Sequence, residues 1–183
     1  MTSSTRDPAA DLSTRSIDRA SENGRSVPHL SEPFEVTASL QLGSAAIVDA
    51  ACRALDRSHL AHYEDVGADE RRRRVQSLFE VMIVSLDQRD LAPVQRYAEA
   101  IARERFDGGF DVSEVQTAFN VLEEVTWRHV VTSTAPAGLA EAIGAVATVL
   151  GAGKDSLART YVALATKRHV PSLDLTALFR GGI

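Results

Sequence analysis

The sequence holds one cysteine in 183 residues, Cys52, so it can form no internal disulfide and build no multi-thiolate metal site. Set among the small apolar residues of "IVDAACRAL", that thiol reads as a packing group rather than a redox centre. Lysine is nearly missing, with only Lys154 and Lys167, and almost every other basic residue is arginine. No uninterrupted apolar run approaches the roughly 20 residues of a membrane helix, which leads to the expectation that the chain does not span a bilayer. The opening "MTSSTRDPAADLSTRSIDRASENGRS" lacks the apolar segment of a secretory leader, so a cytoplasmic location is expected. An excess of positive charge is also missing. The net charge of −5 argues against broad nucleic-acid binding, which draws on a basic face.

What remains is ordinary for a globular protein, at 44% hydrophobic and 25% charged residues. Residues 1–30 show no apolar periodicity and cannot bury enough surface to offset their ordering entropy, so they read as a disordered tail. From Ser31 the pattern turns helical, with no alternating run to suggest a strand.

A first helix is expected from Pro33 to Ser58, with Leu40, Ser44, Ile47, Ala51 and Leu55 on one face and Ser31 as its cap. A second, Asp69 to Leu86, carries the stripe Val75, Leu78, Phe79, Met82, Ile83 and Leu86. A third follows Asp90, takes Pro93 in its first turn, turns Val94, Tyr97, Ala98 and Ile101 inward, and stops at Gly108 and Gly109. "DVSE" starts a fourth with Asp111 as N-cap and Glu114 three residues on, a capping-box arrangement. Its inner face is Val115, Ala118, Phe119, Leu122 and Val125. A fifth runs from Ala137 to Thr166.

Five helices with short connections define an all-α bundle over residues 31–168, for which a globin-like arrangement is one variant. Residues 169–183 form a C-terminal tail. Within it, Leu175, Leu178 and Phe179 fall at helical spacing, the pattern of a segment that lies in a groove of its own bundle, a second copy or a partner.

"VLGAGKDS" has the look of a phosphate loop but fails its requirements. Thr148 stands where the first glycine belongs, Asp155 replaces the magnesium-binding hydroxyl, and the preceding residues read as helix instead of strand. Counting in sevens instead gives Ala137, Gly144, Gly151, Ala158 and Ala165 as a row of small residues. Such a row suits close approach of another helix, in this chain or in a second copy.

Other chemistry is sparse. Arg71, Arg72, Arg73 and Arg74 form the densest charge run, read as a solvated rim or as a patch for anions or an acidic partner. His59 and His62, with Glu64 and Asp65 just beyond, have the residue types of a metal site but sit where a helix end and water also suit histidine. His129 faces the inner edge of the fourth helix, and in a globin-like bundle a histidine so placed could ligate haem iron. No nucleophile, base and acid share a catalytic spacing, so no enzyme activity, no cofactor and no metal are expected.

One longer segment carries a resemblance. "YAEAIARERF", the glycine turn "DGG", then "FDVSEVQTAFNVLEEVTWRHV" and the long Ala/Gly helix after it resemble the N-terminal domain of the RsbRD-type co-antagonists of RsbT. The likeness spans roughly residues 40–166. It implies a helical sensory or interaction module that regulates a stress-signalling output by binding a protein partner, and it transfers no ligand residues. A homodimer is expected through the row of Gly144, Gly151 and Ala158.

Overall fold

The computed structural model describes residues 32–58 and 67–169. Six α-helices account for nearly all of them, and no strand occurs among the described residues. They are α1 (Glu32–Leu42), α2 (Ser44–Asp56), α3 (Gly67–Gln88), α4 (Ala92–Asp107), α5 (Val112–Ser133) and α6 (Pro136–His169). The all-α bundle is thus confirmed, with one correction in its count.

The expected first helix is two. Glycine 43 divides it: Gly43 N–H still donates to the Ser39 carbonyl (3.0 Å), but the chain turns there before α2 begins. A side chain at Gly43 would collide with the imidazole of His129 on α5, so the backbone itself comes up against that ring. Ser31, the expected cap, lies outside the described residues.

The remaining helices follow local chemistry closely. Every residue of the expected α3 stripe is buried, as are Leu40, Ile47, Ala51 and Leu55 on α1 and α2. Leu91 takes the N-cap position of α4, and the Asp90 carboxylate still accepts the Ala92 N–H at 3.0 Å, with Pro93 in the first turn. The capping box at α5 is complete: Ser113 N–H donates to Asp111 Oδ1 at 2.7 Å, and Asp111 N–H donates to Glu114 Oε2 at 3.3 Å. A cap of this kind contributes about 1 kcal/mol.

The long helix α6 packs most extensively on α4 and next on α5, while α2 packs on α5 and α3, and α1 lies across α3 and α5. The core is one cluster drawn from all six helices, with Phe119, Met82, Leu122, Leu150 and Leu157 among its enclosed side chains. By length and composition α6 alone would also suit a bilayer, with a window inside Pro136–Lys167 reaching a mean hydropathy of 1.3, although no uninterrupted apolar run is present. In this fold its apolar residues have a different use, since Val146, Val149, Leu150, Leu157 and Tyr161 are buried against α4 and α5.

Candidate functional site

His129 sits half-buried where α5 meets the α1–α2 junction. Its Nε2 lies 3.2 Å from the Ser39 carbonyl oxygen and 3.4 Å from Ser39 Oγ. A carbonyl can only accept, so that contact assigns the ring proton to Nε2. Through Nε2 the ring links α5 to α1 at Ser39. Ser39 Oγ also donates to Ser133 Oγ at 3.0 Å, which pins α1 to the last turn of α5 a second time.

The four arginines that begin α3 are engaged with carboxylates. Arg71 pairs with Asp56 at 2.6 Å, Arg72 with Asp49, and both Arg73 and Arg74 with Glu70, the latter at 2.7 Å. Two of the partners belong to α2, so the run holds α2 against α3. The Arg72 guanidinium holds the Asp49 carboxyl below its usual value, and Arg74 does the same for Glu70. Cys52 is half-buried on the inner side of this seam, and burial pushes its thiol upward against the pull of Arg72 and Arg71. Raised values favour the unreactive thiol.

Residues 146–160 are helical throughout, so their backbone amides are spent on the helix and cannot cradle a phosphate. Lys154 Nζ donates to Glu123 Oε2 at 2.7 Å and to Asn120 Oδ1 at 3.2 Å, an interhelical link to α5. Of Gly144, Gly151 and Gly153, the one that another helix approaches closely is Gly153. A Cβ there would stand 2.7 Å from Phe119 Cε1 and 3.0 Å from Val94 Cγ2. Gly144 and Gly151 face open space, with nothing within 4 Å of a Cβ built on either. Sequence spacing singled out the row of sevens and passed over Gly153, because only the packed neighbours distinguish one glycine from another.

Three further side chains escaped the sequence reading. Arg105 is buried on α4, with Glu104 Oε1 at 3.0 Å and its guanidinium over the Phe110 ring at 5.1 Å. Thr126 is fully enclosed on α5, and its hydroxyl makes no hydrogen bond. Arg89 closes α3 with a φ of 51°. A charged residue in a helical pattern carries no sign in sequence that it will be buried or bent.

His59 and His62 lie outside the described residues, as do Leu175, Leu178 and Phe179. Among the described residues no three histidine, cysteine or carboxylate groups converge as a metal site.

Fold and geometry together define an all-helical domain in which Arg71, Arg72, Lys154 and His129 link one helix to another. Its sequence matches the family model of the RsbT co-antagonist protein RsbRD N-terminal domain over residues 44–170, well over half of the chain, and the protein belongs to that family. The match opens at Ser44, the first residue of α2, so α1 precedes it. Neither the curated proteins nor the solved structures contain a match to this chain.

Proposed function

We propose that this protein is a non-catalytic, cytoplasmic regulator of stress signalling of the stressosome type, which acts through protein contacts and works as a homodimer. Membership of the RsbRD N-terminal family over residues 44–170 carries the reading. Two features of the fold support it. Charged side chains such as Arg71 with Asp56 and Lys154 with Glu123 pair across helices, a structural use that fits an interaction module. The exposed side of α6 keeps Gly144 and Gly151 uncovered beside Ala158, a surface shallow enough for a second helix to approach closely.

Sedimentation of the purified chain tests the assembly. A dimer is expected, and Gly151→Leu should weaken it at least tenfold without lowering helix content; a wild-type chain that stays monomeric at high concentration overturns the dimer. Deleting the gene in its source cell tests the regulation. An altered stress-responsive transcript profile is expected, and an unchanged profile under several stresses overturns the signalling role.

A further inference from the structure

At one end of the bundle, α1, the last turns of α3 and α5 and the first half of α6 surround a cavity of about 630 Å³. That is the size of pocket that takes a drug-sized molecule. Its walls are largely apolar, with Val36, Leu86, Leu91, Ala142, Ala145 and Val149 among them. Two charged side chains also line it, Arg89 and Glu141. Both are exposed, and neither forms an ion pair among the described residues. They contrast with the run at Arg71–Arg74, where every guanidinium meets a carboxylate.

Arg89 is marked a second time by its backbone. The end of α3 is a Schellman turn, in which Asp90 N–H donates to the Ser85 carbonyl at 3.1 Å and Arg89 N–H to the Leu86 carbonyl at 3.3 Å. This turn puts Arg89 at a φ of 51°, in the left-handed region, where it is the one non-glycine among the described residues. The same turn closes α4, with Phe110 N–H donating to Arg105 at 2.9 Å, and there the residue is Gly109 at a φ of 79°. Glycine takes this conformation freely and arginine does not. Backbone strain of this kind gathers at sites where a side chain is needed.

We propose that the cavity binds a single-headed anionic amphiphile, an alkyl monocarboxylate, whose carboxylate pairs with Arg89 and whose chain lies against α1 and α6. The guanidinium fork matches a carboxylate with two parallel hydrogen bonds. The apolar walls desolvate the alkyl body. Glu141 repels a second negative group and so selects against phosphates and dicarboxylates. Because α1 precedes the segment that matches the family, one wall of this cavity is supplied from outside that segment. A ligand held between α1 and α6 would reinforce a helix otherwise tied to α5 through Ser39 and His129. Gly144 also lines the cavity, which therefore adjoins the face proposed for the dimer; binding measured where the chain is monomeric keeps its failure distinct from failure of the dimer or of the signalling role.

Isothermal titration of the full chain with dodecanoate, below its micellar concentration, tests the proposal. Saturable binding of one molecule per chain is expected. Arg89→Gly should raise the melting temperature of the free protein, because the turn is relieved, and weaken dodecanoate about tenfold through loss of the charged hydrogen bonds. The same variant should leave dodecanol binding unchanged, and Glu141→Gln should tighten dodecanoate. Absence of saturable binding overturns the proposal, as would occupation of the cavity by another part of the chain, which gives that result. An Arg89→Gly protein that binds dodecanoate as the wild type does also overturns it.

Discussion

The imidazole of His129 takes the space that a side chain at Gly43 would fill, so one residue's ring and the other's missing Cβ are a single fitted contact. The contact sets α5 directly against the junction of α1 and α2, where His129 Nε2 lies beside the Ser39 carbonyl. Gly43→Ala should therefore cost about 1–3 kcal/mol, the usual range for overpacking, despite the better helix propensity of alanine. In a His129→Ala background the same change should be neutral or stabilising by up to about 1 kcal/mol, since only propensity is left. A double-mutant cycle read by urea denaturation checks this. Additive effects would show that the two residues do not share the contact.

How far this fold can be read from its sequence depends on whether a signal is local. The stripe from Val75 to Leu86, the Asp111–Glu114 cap and the stop at Gly108 and Gly109 rest on neighbours within a turn or two, and all stand in the structure. Failures came where a distant residue decides. Gly43 leaves room for the ring of His129, 86 positions away by subtraction of their numbers, and no periodicity carries that information. The pairing of Arg71 and Arg72 with Asp56 and Asp49 requires α2 and α3 to be packed side by side. The cavity at Arg89 is assembled from four helices and leaves no motif.

The glycines of α6 should separate cleanly in a stability assay. Gly153→Ala sets a methyl against Phe119 and Val94 in the core and is expected to destabilise by about 1–3 kcal/mol. Gly144→Ala and Gly151→Ala meet open space and should each stabilise by about 0.5–1 kcal/mol, through helix propensity alone. Thermal unfolding at low protein concentration, where assembly contributes least, measures the difference. Equal effects at all three positions would contradict the placement of Gly153 in the core.

Acid should unfold the protein through carboxylates that are engaged in the native state. Asp49 is held low by its hydrogen bond to Arg72, Glu70 by Arg74, and Asp111 by the Ser113 hydroxyl and then its amide at the α5 cap. A folded-state value below the unfolded one adds stability that is complete above the unfolded value and disappears as pH falls through the folded one. Stability should therefore be level near neutrality and decline from about pH 4 downward. Asp111 is exposed and Asp49 and Glu70 are only partly covered, so water screens each of them and the individual contributions are small. Asp111→Asn keeps the cap but cannot titrate, and should flatten part of the acid slope while leaving stability at pH 7 nearly unchanged. High salt should reduce the shares of Asp49 and Glu70. A slope that Asp111→Asn does not alter would remove the cap from the acid response.

Phe110 joins the end of α4 to the start of α5 by more than its backbone. The rings and guanidinia stack as Arg74, Phe110 and Arg105, at 5.6 Å and 5.1 Å from the Phe110 centroid, and Phe106 meets Tyr161 of α6 edge-on at 5.6 Å. In a Schellman turn the residue after the left-handed position commonly packs on the residue five before it, and here that pair is Phe110 with Arg105. A leucine could keep the apolar part of that contact but not the attraction of a ring face for a cation. Phe110→Leu should thus cost about 1 kcal/mol, at roughly 0.5–1 kcal/mol per cation–π partner at such sites. Gly109→Ala, which keeps the ring but forces a side chain to a φ of 79°, should cost about 1–2 kcal/mol by a separate route. If the two costs were one and the same, through collapse of the turn, the double variant would lose no more than Gly109→Ala does alone. Independent causes predict a sum, because the ring contact and the backbone strain reside on different atoms.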